Sequence, residues 1–290
     1  MSPVAVHLVL FLGQICFASL PVAGRLAMTK HGLPAAGIVL VRIVGGAIVF
    51  AIVAWRRKKL RAARRDLAAL VGCALIGVAA NQELFVQGLA RSTATNASVL
   101  GSTIPVFTAL AAIVLGREPP RARRIVGIVI AFAGAAVLVG ADRVSLDREH
   151  LVGSAMVLVN SACYGTYLVV VRPLAERYDP LALLALMFVA GVPMVAPLGA
   201  VAWADAAPLD ATDIGFLAFL VAVPTVAAYA LVQTALRHAE STLVAAYIYL
   251  QPVIAALGAI ALLDEHVTRG TIVGGAIVLG GVWLAARPRP

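Results

Sequence analysis

Two residues could do charge chemistry where charge is expensive. Glu83, within the stretch NQELF at 81–85, stands inside an apolar run of residues 67–89, and Arg42 stands inside another at 34–55. An isolated charge in hydrocarbon costs roughly 3 kcal/mol or more, so each needs a partner. At the helical rise per residue, Arg42 lies about 12 Å and Glu83 about 9 Å from the same membrane face. Because consecutive helices are often neighbours, an Arg42–Glu83 ion pair is expected. Such a pair is either a structural clamp or a working site. In a working site Glu83 carries a proton or anchors a substrate ammonium, while Arg42 meets a substrate carboxylate or tunes the acid.

Around this pair lie uncharged groups with the same difficulty. Asn81, Gln82 and Phe85 adjoin Glu83. Ser98, Ser102 and Pro105 share one helical face in a later run, with Gly101 beside them, and Tyr247 and Gln251 share a face near the end of the chain. Lipid satisfies none of their hydrogen bonds, so these faces turn inward. There they line a cavity or pack against a neighbouring helix.

The elements that must hold these residues follow from composition. The chain of 290 residues is 62% hydrophobic and 13% charged, with a mean hydropathy of +0.97, more apolar surface than a soluble fold of this size can bury. A net charge of +9 raises the question of nucleic acid, but the basic residues sit in short gaps between apolar runs, as topology determinants do. No nucleic-acid partner is expected; the lipid bilayer is. Cys16, Cys73 and Cys163 lie singly within apolar runs and indicate neither a disulfide framework nor a metal site. The first run has no basic leader and no clear cleavage motif, and is expected to be a retained helix.

Cutting the chain where charge, Pro and Gly interrupt the apolar runs gives ten spans: 4–28, 34–55, 67–89, 94–116, 125–141, 151–171, 181–203, 212–236, 241–263 and 270–286. The loops RRKKLRAARRD and REPPRARR place their ends in the cytoplasm, and 16 of the 23 Lys and Arg residues then fall on that side. Both termini are expected to be cytoplasmic. The expected fold is an all-α polytopic membrane protein.

The chain also repeats itself. Pro105 and Pro252 correspond at a shift of 147 residues, as do Glu118 and Glu265, Gly127 and Gly274, and Gly134 and Gly281. Each copy holds five spans, and an odd number inverts the second copy in the membrane, a plan recurrent in secondary transporters. The expectation is therefore two inverted five-helix repeats around a central cavity, residues 1–141 and 151–290, joined by an outer loop at 142–150. Pro105 and Pro252 each interrupt a helix near mid-membrane, as hinge candidates or as static kinks. Phe17 in CFASLPVAGR corresponds to Tyr164 in CYGTYLVVVR, two aromatics suited to a cavity of loose shape demands. Neither Arg42 nor Glu83 has a repeat counterpart. Glu118 and Glu265, at helix ends, are read as structural, satisfying the start of the next helix, and Asn96 as a cap of its own helix.

The segments ATNASVLGSTIPVFTALAAIVLGRE and STLVAAYIYLQPVIAALGAIALLDE, each followed by a Gly-punctuated helix, resemble the EamA domain of the drug/metabolite transporter superfamily. The likeness covers essentially the whole chain and is nearest to the aromatic and broad-specificity amino-acid exporters. It implies a ten-helix transporter of the bacterial inner membrane, with a cavity between its halves, exporting amino acids or related metabolites by alternating access. No GxxxxGK[ST] phosphate loop is present, so neither an ATP-driven cycle nor an ATPase subunit is expected. The five histidines are scattered, without HExxH, and no enzyme, cofactor or metal site is indicated. With its three lysines in loops, the chain is poorly equipped for a phosphorylated substrate, and a small zwitterion such as an amino acid fits better. The alternative is a proton-coupled exporter of hydrophobic cationic drugs that uses Glu83.

Overall fold

A chain in hydrocarbon must pair every backbone N–H and C=O within itself, and runs of this length do so as helices. The computed structural model describes residues 1–59, 61–117, 122–141, 148–239, 241–266 and 268–286, and among them all regular structure is helical. Eight helices are long and apolar enough to cross a membrane. They are α1 (Pro3–Lys30), α2 (Ala35–Arg56), α3 (Arg64–Ala90), α4 (Ala94–Val114), α6 (Arg148–Val170), α7 (Pro180–Ala204), α8 (Ala211–Leu236) and α9 (Leu243–Leu263). Two further helices, α5 (Ala122–Ala141) and α10 (Arg269–Ala286), lie against each other. Gly134 permits that approach, since a Cβ there would stand 2.5 Å from the Val278 amide nitrogen.

The outer surface carries large apolar side chains such as Leu8, Trp55, Val114, Leu198, Val201 and Leu257, all exposed. In water such a surface would aggregate; against lipid it is the solvated face. Inside, α2 runs along α7, α3 along α6, α1 against α8 and α9, and α4 against α6 and α9. Exchanging α1 with α6, α3 with α8 and α4 with α9 turns the α3–α6 contact into α8–α1 and α4–α6 into α9–α1. Both of those contacts exist.

Irregularities recur in the same register. A π-helical turn widens α3 at Leu75–Ala79 and another widens α8 at Ala222–Ala227, beginning 147 residues later. α4 breaks at Ser102 and Thr103 between Ala94–Gly101 and Ile104–Val114, so Pro105 falls in the first turn of the second piece, where its missing N–H leaves no hydrogen bond unmade. α9 tightens into a 3-10 turn at Tyr247–Tyr249, just ahead of Pro252 in Leu250–Leu263.

Helix ends are tied across the bundle. Glu265 does not serve the helix that follows it. Its carboxylate accepts from the Ala94 and Thr95 amides at 2.8 and 3.2 Å and from the Thr95 hydroxyl at 2.8 Å, capping α4 in the other half of the chain. The cap residue of α4 is Thr93, whose hydroxyl accepts from the Asn96 amide, so Asn96 is capped rather than capping. Glu118 lies outside the described residues. Arg25 donates to the carbonyls of Leu89 and Ala90, satisfying the end of α3.

At the start of α7, Asp179 accepts from the Leu181 and Ala182 amides and from Lys59 at 3.0 Å. Burial pushes its carboxyl up, but the Lys59 ammonium and the two amides together outweigh burial and hold it below the usual carboxylate range. A depressed carboxyl stabilises above its unfolded value, near about pH 4, and the contribution is lost as pH falls through the folded one. Asp179→Ala should cost about 1 kcal/mol, read as earlier melting in detergent at pH 7. Melting of this variant should converge with that of the unaltered protein in acid below about pH 4.

Candidate functional site

A narrow cavity of about 60 Å³ lies at the centre of the bundle. α1 contributes Gln14, Phe17 and Leu20, α2 contributes Arg42, and α3 contributes Asn81, Gln82 and Phe85. Gly101 and Ile104 of α4 and Asn160, Tyr164 and Leu168 of α6 continue the wall, and Tyr229, Val232, Val244, Ile248 and Gln251 from α8 and α9 close it. Of the residues expected from sequence, Phe17, Arg42, Asn81, Gln82, Phe85, Tyr164 and Gln251 meet here.

Others do not. The Ser98 side chain is buried outside the wall, and the Ser102 hydroxyl donates to the Val99 carbonyl within its own helix. Tyr247 turns away, its hydroxyl paired with His7 near the start of α1. Pro105 and Pro252 mark breaks in α4 and α9 without touching the cavity. Small hydroxyl residues on a helix return to their own carbonyls readily, which is why Ser102 needs no inward partner.

The expected Arg42–Glu83 ion pair is not formed. Arg42, 1% exposed, donates from Nε to the Thr225 hydroxyl at 2.9 Å, and its Nη1 has no hydrogen-bond partner. Glu83 accepts from Gln87 at 2.9 Å, and Gln87 in turn accepts from Arg91 at 2.8 Å. Matching depth did not bring the two together because they point along different faces. Positions 83, 87 and 91 form one stripe of α3, whereas 81, 82 and 85 face the cavity. Arg42 instead reaches the π turn of α8, where Thr225 also donates to the Leu220 carbonyl.

A polar network fixes the wall. Asn81 donates from Nδ2 to the Tyr229 hydroxyl at 2.8 Å, the Tyr229 hydroxyl donates to the Gly77 carbonyl at 3.2 Å, and Asn160 donates to the Asn81 carbonyl at 2.7 Å. Gly77 sits in the π turn of α3 under the Tyr167 ring. A Cβ at Gly77 would stand 2.2 Å from the ring, so only glycine permits the contact. Across the cavity Gln251 donates to Gln14 at 2.6 Å. The Gln82 side chain, 2% exposed, approaches the Tyr229 hydroxyl without a well-aligned hydrogen bond and leaves its Oε1 unpartnered. The ring of Phe17 meets Tyr164 edge-on at 6.4 Å and Tyr229 at 5.3 Å.

Gln14, Asn160 and Tyr229 were not singled out in the sequence. The shift of 147 carries a signal for one of them: Gln82 corresponds to Tyr229, just as Phe17 does to Tyr164, Phe85 to Val232 and Ile104 to Gln251. For Gln14 and Asn160 the register gives no such signal, since their counterparts, Ser161 and Gly13, do not line the cavity.

A second, polar hollow of about 230 Å³ continues along the same helices. Thr108 lies one turn beyond Ile104, Arg172 one turn beyond Leu168, and Ser241 one turn before Val244. Ile104, Leu168 and Val244, which line the central cavity, are thus each about one helical turn from a residue that lines the hollow. Arg117, Arg172 and Glu176 stand at its mouth.

A lipid-facing helical bundle around a mostly apolar cavity set with a few polar groups, with a polar hollow nearby, is the build of a membrane transporter. The chain belongs to the EamA-like transporter family, which matches residues 5–140 and again 151–287. It is similar to a "probable terminal-alkyne amino-acid exporter" of Streptantibioticus cattleyicolor, 30% identical and covering 96% of this chain and 92% of that one. An "uncharacterized transporter" of Archaeoglobus fulgidus is 29% identical over 83% of this chain and 84% of its own. A protein crystal structure superposes with a TM-score of 0.71 at 17% identity, covering 98% of this chain and 97% of that one, a likeness of fold. The family and these relatives are transporters, not enzymes, and the chain is an integral membrane protein.

Asn81 is the hub of the wall. Asn81→Leu should remove the donor to the Tyr229 hydroxyl and the side-chain acceptor of the Asn160 amide, each of which keeps one backbone carbonyl, and cost about 1 to 2 kcal/mol. Tyr229→Phe, which keeps the ring contacts, should cost less, and the two changes combined should fall short of additivity in a melting cycle.

Proposed function

We propose that the chain is a secondary transporter that exports amino acids or related small metabolites by alternating access, with the central cavity as its substrate site. The observation that carries this reading is the buried Arg42 guanidinium among the residues that line the cavity, with its Nη1 lacking a hydrogen-bond partner. A guanidinium held in low dielectric gains most from a carboxylate, which accepts two parallel hydrogen bonds from it. Phe17, Phe85, Tyr164 and Tyr229 offer apolar contact to a side chain without fixing its shape. The amino-acid exporter among the relatives supports the same substrate class.

In this reading α5 and α10 also span, giving ten helices in two inverted repeats, residues 1–141 and 151–290, joined by the outer loop 142–150. The recurrence of π turns and helix breaks at a shift of 147, and the exchange of helix contacts between halves, support it. The basic loops put both termini in the cytoplasm of a bacterial cell, with the polar hollow opening inward. Movement of the halves about Pro105 and Pro252 would part Ile104, Leu168 and Val244 and expose the cavity to the cytoplasm.

The reading as a proton-coupled exporter of cationic drugs through Glu83 gains nothing from the geometry. Glu83 lies off the cavity wall, and a cationic substrate would meet Arg42.

Purified protein in liposomes, offered a panel of radiolabelled amino acids with and without a proton gradient, should take up neutral ones with apolar side chains. Arg42→Gln should cut that flux at least about tenfold, the loss of one charge-assisted pair, whereas Glu83→Gln should retain most of it. Absence of flux for every amino acid would overturn the proposal.

A further inference from the structure

We infer that the cavity selects its substrate by the carboxylate alone and does not require the ammonium, so its ligands are small monocarboxylates with an apolar tail, amino acids being one case. This rests on the transport reading and says which half of a zwitterion the site reads.

The charges of the wall are one-sided. Arg42 lines the cavity, is 1% exposed, donates from Nε to Thr225 and leaves Nη1 without a hydrogen-bond partner. Among the described residues no Asp or Glu lines the same space. Glu83, next to the lining residue Gln82 in sequence, accepts along its own helix from Gln87. A bound ammonium would find only neutral groups: the faces of Phe17, Tyr164 and Tyr229, and amide oxygens such as the unpartnered Oε1 of Gln82. Rings attract a cation weakly, and none of these groups neutralises it.

The balance therefore differs by ligand. A monocarboxylate neutralises the buried guanidinium and brings no second charge that must be stripped of water. A zwitterion neutralises it too, but carries an ammonium whose desolvation only dipoles and rings offset. An amine or amide without a carboxylate leaves Arg42 as it was and, when cationic, is repelled by it. The order of affinity should be desamino acid equal to or above amino acid, and both far above amino-acid amide.

The test uses the full chain in liposomes, with whichever radiolabelled amino acid gives counterflow. Its desamino acid and its amide are added as unlabelled competitors on both sides of the membrane at equal pH. The desamino acid should inhibit at no more than about threefold the concentration needed for the amino acid itself, and the amide should need at least tenfold more. In Arg42→Gln, checked for folding by melting, the two competitors should become equivalent. Inhibition by the amide as strong as by the amino acid, or failure of the desamino acid to inhibit, would overturn the inference while leaving transport standing. Absence of counterflow for any amino acid would instead overturn the transport reading beneath it.

Discussion

A guanidinium cannot be left in hydrocarbon, and the centre of this bundle is arranged around that fact. Arg42 is reached by a hydroxyl, Thr225, that a regular α-helix would not present in the same way. Thr225 sits in a π turn and donates to the Leu220 carbonyl five residues earlier. The cation thus ties α2 to α8, and its side chain lines the cavity with Nη1 unpartnered. Around it the wall is neutral: amides, phenols and rings, joined through Asn81, Asn160 and Tyr229. Such a network is stable only when its members are satisfied.

The same rule, that polar atoms in lipid must find partners, explains the ends of the helices. Glu265 from the second half closes the start of α4, and Arg25 closes the end of α3. Each crosses between elements far apart in the chain. The apolar exterior, in contrast, is permissive: exposed residues such as Leu8, Leu198 and Leu257 need only be greasy.

Much of this was legible in the sequence, for physical reasons. Apolar runs report solvent, so the spans and the helical class followed from composition, and the repeat followed from matched Pro, Glu and Gly positions. Seven of the residues that are polar or aromatic within such runs do share the cavity, because lipid disfavours them on the outer face. What was not legible is direction around a helix axis. Depth alone suggested that Arg42 and Glu83 meet, but the stripe of Glu83, Gln87 and Arg91 faces elsewhere. Tyr247 failed for a simpler reason: its partner, His7, lies 240 residues away, and no local pattern announces such a contact.

The paired π turns bear on ancestry as well as shape. A π turn holds one residue more than the α-helical turn it replaces, and a helix absorbs it without changing its ends. In α3 and α8 it starts at Leu75 and at Ala222, in the same register, although the residues filling it, LIGVA and AVPTVA, have little in common. Two independent insertions at one position of unrelated local sequence would be a coincidence. A single extra residue, already present in a one-repeat precursor before that repeat was doubled, accounts for both. The two halves then diverged in charge, one gaining Arg42 and Glu83 and the other neither, while keeping the wide turn against which the Arg42 side chain now rests.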